Sequence, residues 1–213
     1  MKKIIYILFI SFLFICCNSD HEPTVVKSDS IENEIKEEPI SNYLLGEVKV
    51  KWNAFKHISK AIVGGEFTNI QVTNFNDSTN LYAAIEGVSF ELDVKSTKTG
   101  DTLRDYKIYN SFFGTMLNTQ YISGKILSLN ENKTGLVLIT MNEVSKEISF
   151  DWDIDQSHEF FLKTSIDVLN WNASSALNAL NEVCLEKHTG PDGINKLWPN
   201  VDIVVIAKLI PLD

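Results

Sequence analysis

TGLVLITMNEVSKEISFDWDI, residues Thr134–Ile154, decides the fold. In its second half Ile148, Phe150, Trp152 and Ile154 alternate with Ser149, Asp151 and Asp153. A period of two places the apolar set on one face and the polar set on the other, which is the pattern of a strand buried on one side. Thr134–Met141 reads as a second strand, and only Asn142-Glu143 lies between the two. So short a connection forces neighbouring antiparallel strands. Asn130-Glu131-Asn132-Lys133 joins Thr134 in the same way to a strand expected at about Gln120–Leu129.

The alternation extends outward in both directions. Val48, Val50 and Trp52 alternate with Glu47, Lys49 and Lys51, and Val88, Phe90, Leu92 and Val94 alternate with Ser89, Glu91, Asp93 and Lys95. Further strands are expected at about Ile62–Val72, Glu159–Val168 and Val201–Leu209. Eight strands joined mostly by tight turns predict an all-β, eight-stranded antiparallel barrel, in which closure removes exposed edges. Two segments break the pattern and are expected as helical insertions. Asp101–Phe113 lacks alternation, and Ala173–Lys187 places Ala176, Leu177, Leu180, Val183 and Cys184 on one helical face. Asn172 or Ser174 is the expected cap of the second, and His188–Gly193 its stop.

The chain has 213 residues, 28 acidic against 19 basic, for a net charge of −9. That balance excludes a reader of nucleic acid or another polyanion. Lys2 and Lys3 precede an apolar run, Ile4–Ile15, that ends in Cys16 and Cys17. The run is too short to span a bilayer and reads as an export signal. Its end resembles the lipobox of bacterial lipoproteins, with Cys17 acylated and Cys16 the small residue before cleavage. The expected organisation is a signal peptide at 1–17, an acidic disordered tether at 18–42 and the barrel at 43–213. The expected location is the cell envelope, on a membrane through the acyl anchor. Only Cys184 remains for the folded part, so no disulfide scaffold is expected.

Catalytic signatures are missing from the sequence: it has no His-Glu-x-x-His, Cys-x-x-Cys, phosphate-cradling glycine loop or Gly-x-Ser-x-Gly. A non-enzymatic role is the expectation. The inward strand faces carry Trp52, Phe67, Phe90, Phe150, Trp152, Phe160 and Leu162, whereas Phe112, Phe113, Met116, Trp171 and Trp198 belong to insertions or strand ends near an opening. Such a barrel either fills its interior with side chains or keeps room for one slender apolar ligand. The first outcome makes a structural or interaction protein, the second a binding module. Arg104 is the sole arginine, read either as a headgroup contact at the barrel mouth or as a structural partner of Asp101 or another local carboxylate such as Asp105. Cys184 and His188 share a helix face, with Asp192 beyond. A buried thiol and a helix-ending histidine are expected there rather than a metal site.

Several of these segments together resemble the YceI-like family of exported bacterial proteins. They are Lys51-Trp52-Asn53-Ala54-Phe55-Lys56, Val63-Gly64-Gly65-Glu66-Phe67, Gly87–Asp93, Thr99-Gly100-Asp101 with Arg104-Asp105, and Phe112–Met116. The tail, Leu177–Cys184 with His188-Thr189-Gly190 and Lys196–Pro199, looks like a lipid-anchored branch of that family in Bacteroidetes-type bacteria. The resemblance covers about residues 45 to 210. It implies a lipocalin-like barrel with no agreed catalytic residues and no cofactor in the usual sense. The implied occupant is a polyisoprenoid, such as an isoprenoid quinone, in the lumen.

Overall fold

The computed structural model describes residues 42–212. The expected signal peptide, Cys17 and the tether up to residue 41 lie outside them. Asn42, expected as the last tether residue, instead opens the first strand, β1 (Asn42–Lys56).

Ten strand segments make one antiparallel sheet. After β1 come β2 (Ala61–Phe67), β3 (Ile70–Thr73), β4 (Ser89–Asp93), β5 (Thr97–Lys98), β6 (Tyr121–Leu129), β7 (Thr134–Met141), β8 (Val144–Ile154), β9 (Glu159–Asp167) and β10 (Leu197–Leu212). The order is β3-β4-β6-β7-β8-β9-β10-β1-β2-β5. The count of ten corrects the expected eight, and the difference has a local cause. The strand expected at 62–72 breaks at Thr68-Asn69, and its partner breaks at Val94–Ser96, where Asp93 supports a 3-10 turn by accepting from the Lys95 N–H. Across the bend Thr68 N donates to Ser96 O and Asp93 N to Asn69 O. The two broken strands therefore stay paired on both sides of the bend, β3 with β4 along all of β3 and β2 with β5 at Glu66-Phe67. Counting each broken strand once restores eight, and this pairing closes the ring, with Ala61–Gly65 of β2 paired to β1 alone.

The β7–β8 hairpin is as its sequence demands. Met141 faces Val144 across Asn142 and Glu143, whose φ values of 50° and 58° are both left-handed, the geometry of a turn that matches strand twist. The first expected insertion is a short helix at Thr102–Lys107, then a π-turn at Ile108–Phe112 and a 3-10 turn at Phe113–Thr115. Asp101 caps it by accepting from the Leu103 and Arg104 N–H groups. The second is broken at Cys184 into Ser174–Val183 and Leu185–His188. Neither expected cap acts: Asn172 is left-handed in the preceding turn, and Ala173 holds the cap position without a side-chain bond. A short helix at Leu81–Ile85, capped by Asn80, was not foreseen. In chain order the helices at 81–85, 102–107, 174–183 and 185–188 are α1 to α4. No helix among the described residues is long and apolar enough to cross a membrane.

Candidate functional site

Inside the barrel is a cavity of about 540 Å³, within the roughly 300–1,000 Å³ of small-molecule sites. Register explains its wall. Trp52, Ile203 and Thr164 stand side by side on β1, β10 and β9, and Val50, Val205 and Leu162 form the next rung. All six face the cavity. The side chains do not fill the interior, and three glycines show part of the reason. A Cβ on Gly65 would stand 2.4 Å from the Trp52 ring, one on Gly124 2.3 Å from Phe90, and one on Gly135 2.3 Å from Phe150. Each aromatic faces its glycine across the strand pair. The rings thus lean onto the neighbouring strand instead of reaching across the lumen.

Nine of the thirteen aromatic, aliphatic and arginine positions expected at the ligand site do meet on the cavity wall. Trp52, Phe67, Phe90, Phe160 and Leu162 come from strands, and Phe112, Phe113, Trp198 and Arg104 from the insertions and the start of β10. Four do not. Phe150 faces inward but is core, 2% exposed and seated on Gly135. Trp152 stacks on Phe160 at 5.8 Å and meets Tyr82 of α1 edge-on, closing the end of the barrel away from Lys56. Its Nε1 donates to Thr134 O at 3.0 Å. Met116 and Trp171 pack in the core beside the β7–β8 turn, where Asn142 takes the Leu117 N–H and donates to Trp171 O.

The opposite end is the mouth. Leu103 is exposed and yet lines the cavity, and Lys56, Arg104, Lys107, Lys187 and buried His188 line it beside Leu103. Hydrogen bonds tie the contributing segments together: Lys56 Nζ donates to Lys187 O at 2.9 Å, and Lys107 Nζ to Val183 O at 2.7 Å. Trp198 Nε1 donates to His57 O at 2.7 Å, while Lys60 and Lys196 lie over its ring at 4.7 and 4.6 Å. Sequence reasoning missed these lysines because a lysine beside a turn reads as ordinary solvated surface. Arg104 lines the mouth, and its Nη2 lies 3.6 Å from Asp101 Oδ2, the structural pairing. Asp105 is not its partner and instead accepts from Thr99 N and Oγ1. The Asp101 carboxylate is held below its usual range, first by the Arg104 N–H and further by the Arg104 and Lys187 charges.

His188 is buried at the mouth, with Nδ1 2.8 Å from Asn181 Oδ1. Asn181 Nδ2 donates to Asn195 Oδ1, so the Asn181 oxygen accepts and Nδ1 carries the proton. Burial first, then the Lys56, His57 and Lys107 charges, push the imidazole down to about 4. A depressed folded value means that stability is present above the unfolded value of about 6.5 and is lost as pH falls towards 4. A His188→Asn variant, which keeps an acceptor-donor group near Asn181, should show a smaller drop in melting temperature between those pH values than the wild type. Equal drops would remove His188 as the cause. Among the described residues no group of three or more His, Cys, Asp or Glu side chains is placed to hold a metal.

The model of the YceI-like domain matches residues 43–203. Among solved structures, a polyisoprenoid binding domain from Saccharophagus degradans implicated in plant cell wall breakdown superposes with a TM-score of 0.56 at 9% identity, covering 81% of this chain and 99% of that one. BcnA of Burkholderia cenocepacia superposes with a TM-score of 0.53 at 10% identity, covering 76% of this chain and 96% of its own. At such identities the likeness is one of fold. No curated protein sequence matches the chain.

Proposed function

The chain belongs to the YceI-like domain family, and from that premise we propose that it binds and carries one long apolar lipid of the polyisoprenoid type in the barrel cavity. The observation that carries the reading is the cavity itself, apolar along its length and open at one charged end. Apolar wall of this extent is unfavourable in water by about 25 cal/mol per Å², and a hydrocarbon chain relieves it without demanding hydrogen bonds. The choice of a polyisoprenoid follows the ligand for which the Saccharophagus degradans domain is named. Binding rather than turnover is the proposed role.

Ile203→Trp tests the lumen directly. Ile203 is half-buried in the middle of β10 and faces the cavity, so a larger ring there occupies ligand space without displacing core. The variant should melt close to the wild type and lose about tenfold or more of its co-purifying lipid. Full lipid content in a folded Ile203→Trp protein would contradict a ligand in this cavity.

The proposal places the protein on an envelope membrane through acylated Cys17, with the acidic segment after it as a spacer. Cys17→Ser should move the protein from the membrane to the soluble envelope fraction. Release by Cys16→Ser alone would reassign the site, and retention of both variants would remove the anchor.

A further inference from the structure

We propose that the outer rim of the barrel's open end is a membrane-docking surface, which seats that end of the protein on an anionic lipid bilayer. The inference goes beyond ligand binding in the lumen and rests on the function proposed above only for the anchor at Cys17. Strand direction shows where the exposed apolar surface lies. β1 and β9 run towards the mouth and β10 runs from it, so the β1–β2 turn and the segment leading into β10 stand at that end, with α2 and α4 bonded beside them. Ile58, Leu103, Tyr106, Leu185 and Ile194, from four of these segments, are each more than half exposed. Only Leu103 among the five touches the cavity, so the surface surrounds the opening and is distinct from the wall within. Towards the closed end the large apolar side chains exposed among the described residues are Leu44, Leu127, Ile210 and Leu212 alone.

The apolar tips are held on one frame. His57, beside Ile58, donates from its backbone N to Lys196 O at 2.8 Å, and its Nε2 lies 3.0 Å from Lys187 O. Asn195 Nδ2 donates to Leu185 O at 3.2 Å, which ties the base of Ile194 to α4. Leu103 and Tyr106 are three apart on α2 and share a face. Lysines and an arginine stand among the tips: Lys60 follows Ile58, Arg104 follows Leu103, Lys187 follows Leu185 and Lys196 follows Ile194. The carboxylates of Asp101, Asp105 and Asp192 at this rim accept from backbone N–H groups. Glu182 and Glu186 are the acids there without a partner among the described residues.

A contiguous apolar patch ringed by charge marks an interaction surface. A bilayer interface takes both parts of this one. The Ile and Leu tips enter the acyl boundary, the long lysine stems let their charges reach back to anionic headgroups, and the Tyr106 ring suits the depth between. A membrane also fits the place of the patch better than a folded partner does. The cavity opens inside the rim, so an apolar chain can pass between bilayer and lumen without crossing water. The chain before the barrel is long enough for this orientation. Residues 18–41 reach up to about 80 Å when extended, whereas the 15 residues of β1 carry the chain about 50 Å from Asn42 to Lys56. Cys17 and the rim can therefore meet the same membrane.

The test follows amide hydrogen exchange, segment by segment, in the full acylated chain reconstituted on vesicles of phosphatidylethanolamine and phosphatidylglycerol. The Cys17→Ser chain without vesicles is the reference. Exchange at 57–60, 102–107 and 183–195 should slow by about fivefold or more on the vesicles, while 130–133 and 155–158 at the closed end stay at the reference rate. Ile58→Ser, Leu185→Ser and Ile194→Ser, together, should return the rim to within about twofold of the reference with the melting temperature unchanged, because all three side chains are exposed in the free protein. Leu44→Ser with Ile210→Ser, at the closed end, should leave the protection in place. Vesicle-bound protein without protection at the rim, or protection that survives the triple substitution, overturns the docking surface while the anchor stands. Protein that does not sediment with the vesicles overturns both. The same protection appearing in the reference chain as its concentration rises assigns the rim to a second copy of the chain and overturns the membrane.

Discussion

Trp171→Ala is expected to cost about 4–5 kcal/mol, a large share of the 5–15 kcal/mol that holds a typical domain. Trp171 is 0% exposed and is the largest of the fully buried side chains among the described residues. Its Nε1 donates to Ile139 O at 3.1 Å, so truncation both empties a large volume and removes a buried hydrogen bond. Trp171→Phe should cost markedly less, because it keeps most of the volume and loses mainly the hydrogen bond. Neither change should alter lipid bound per folded molecule, because Trp171 is off the cavity wall. Chemical denaturation gives the first quantity and lipid content the second. A Trp171→Ala protein of near wild-type stability, or one that stays folded but empty, would contradict this placement.

The second large effect is expected at Gly135. A Cβ there would stand 2.3 Å from Phe150 Cζ and 2.6 Å from the Ser128 carbonyl oxygen, and the second atom is backbone and cannot step aside. Gly135→Ala should therefore destabilise the barrel by about 3 kcal/mol. Phe150→Leu removes the ring from that contact, so the double variant should be less destabilised than the sum of the single changes by about 1 kcal/mol or more. Strict additivity in denaturant titrations would show that the ring does not sit on the glycine.

Much of the fold is legible in the chain because the barrel uses strands buried on one face. The Ile148–Ile154 alternation and the two-residue turn at Asn142-Glu143 specify β7 and β8 nearly to the residue. The break at Thr68-Asn69 is not legible, since it is held by bonds to Ser96 and Asp93, far along the chain. Nothing near Asn172 announces that it spends its turn geometry before α3 rather than capping it.

The site is legible to a lesser depth. Period two identifies which side chains point inward, yet Phe150 and Phe160 are indistinguishable by that rule. What separates them is the partner across the strand: Phe150 lies over Gly135, whereas Phe160 faces Ala207 and borders the cavity. The mouth is harder still. Lys56, Lys107 and Lys187 are distant in sequence, and only the docking of α2 and α4 against the end of β1 gathers them.

The most direct measurement is mass spectrometry of an organic extract of the full chain, purified and washed so that only tightly held, non-covalent lipid remains. A ligand in the lumen predicts one class of isoprenoid lipid at close to one molecule per protein. A folded protein whose extract contains no isoprenoid would contradict it.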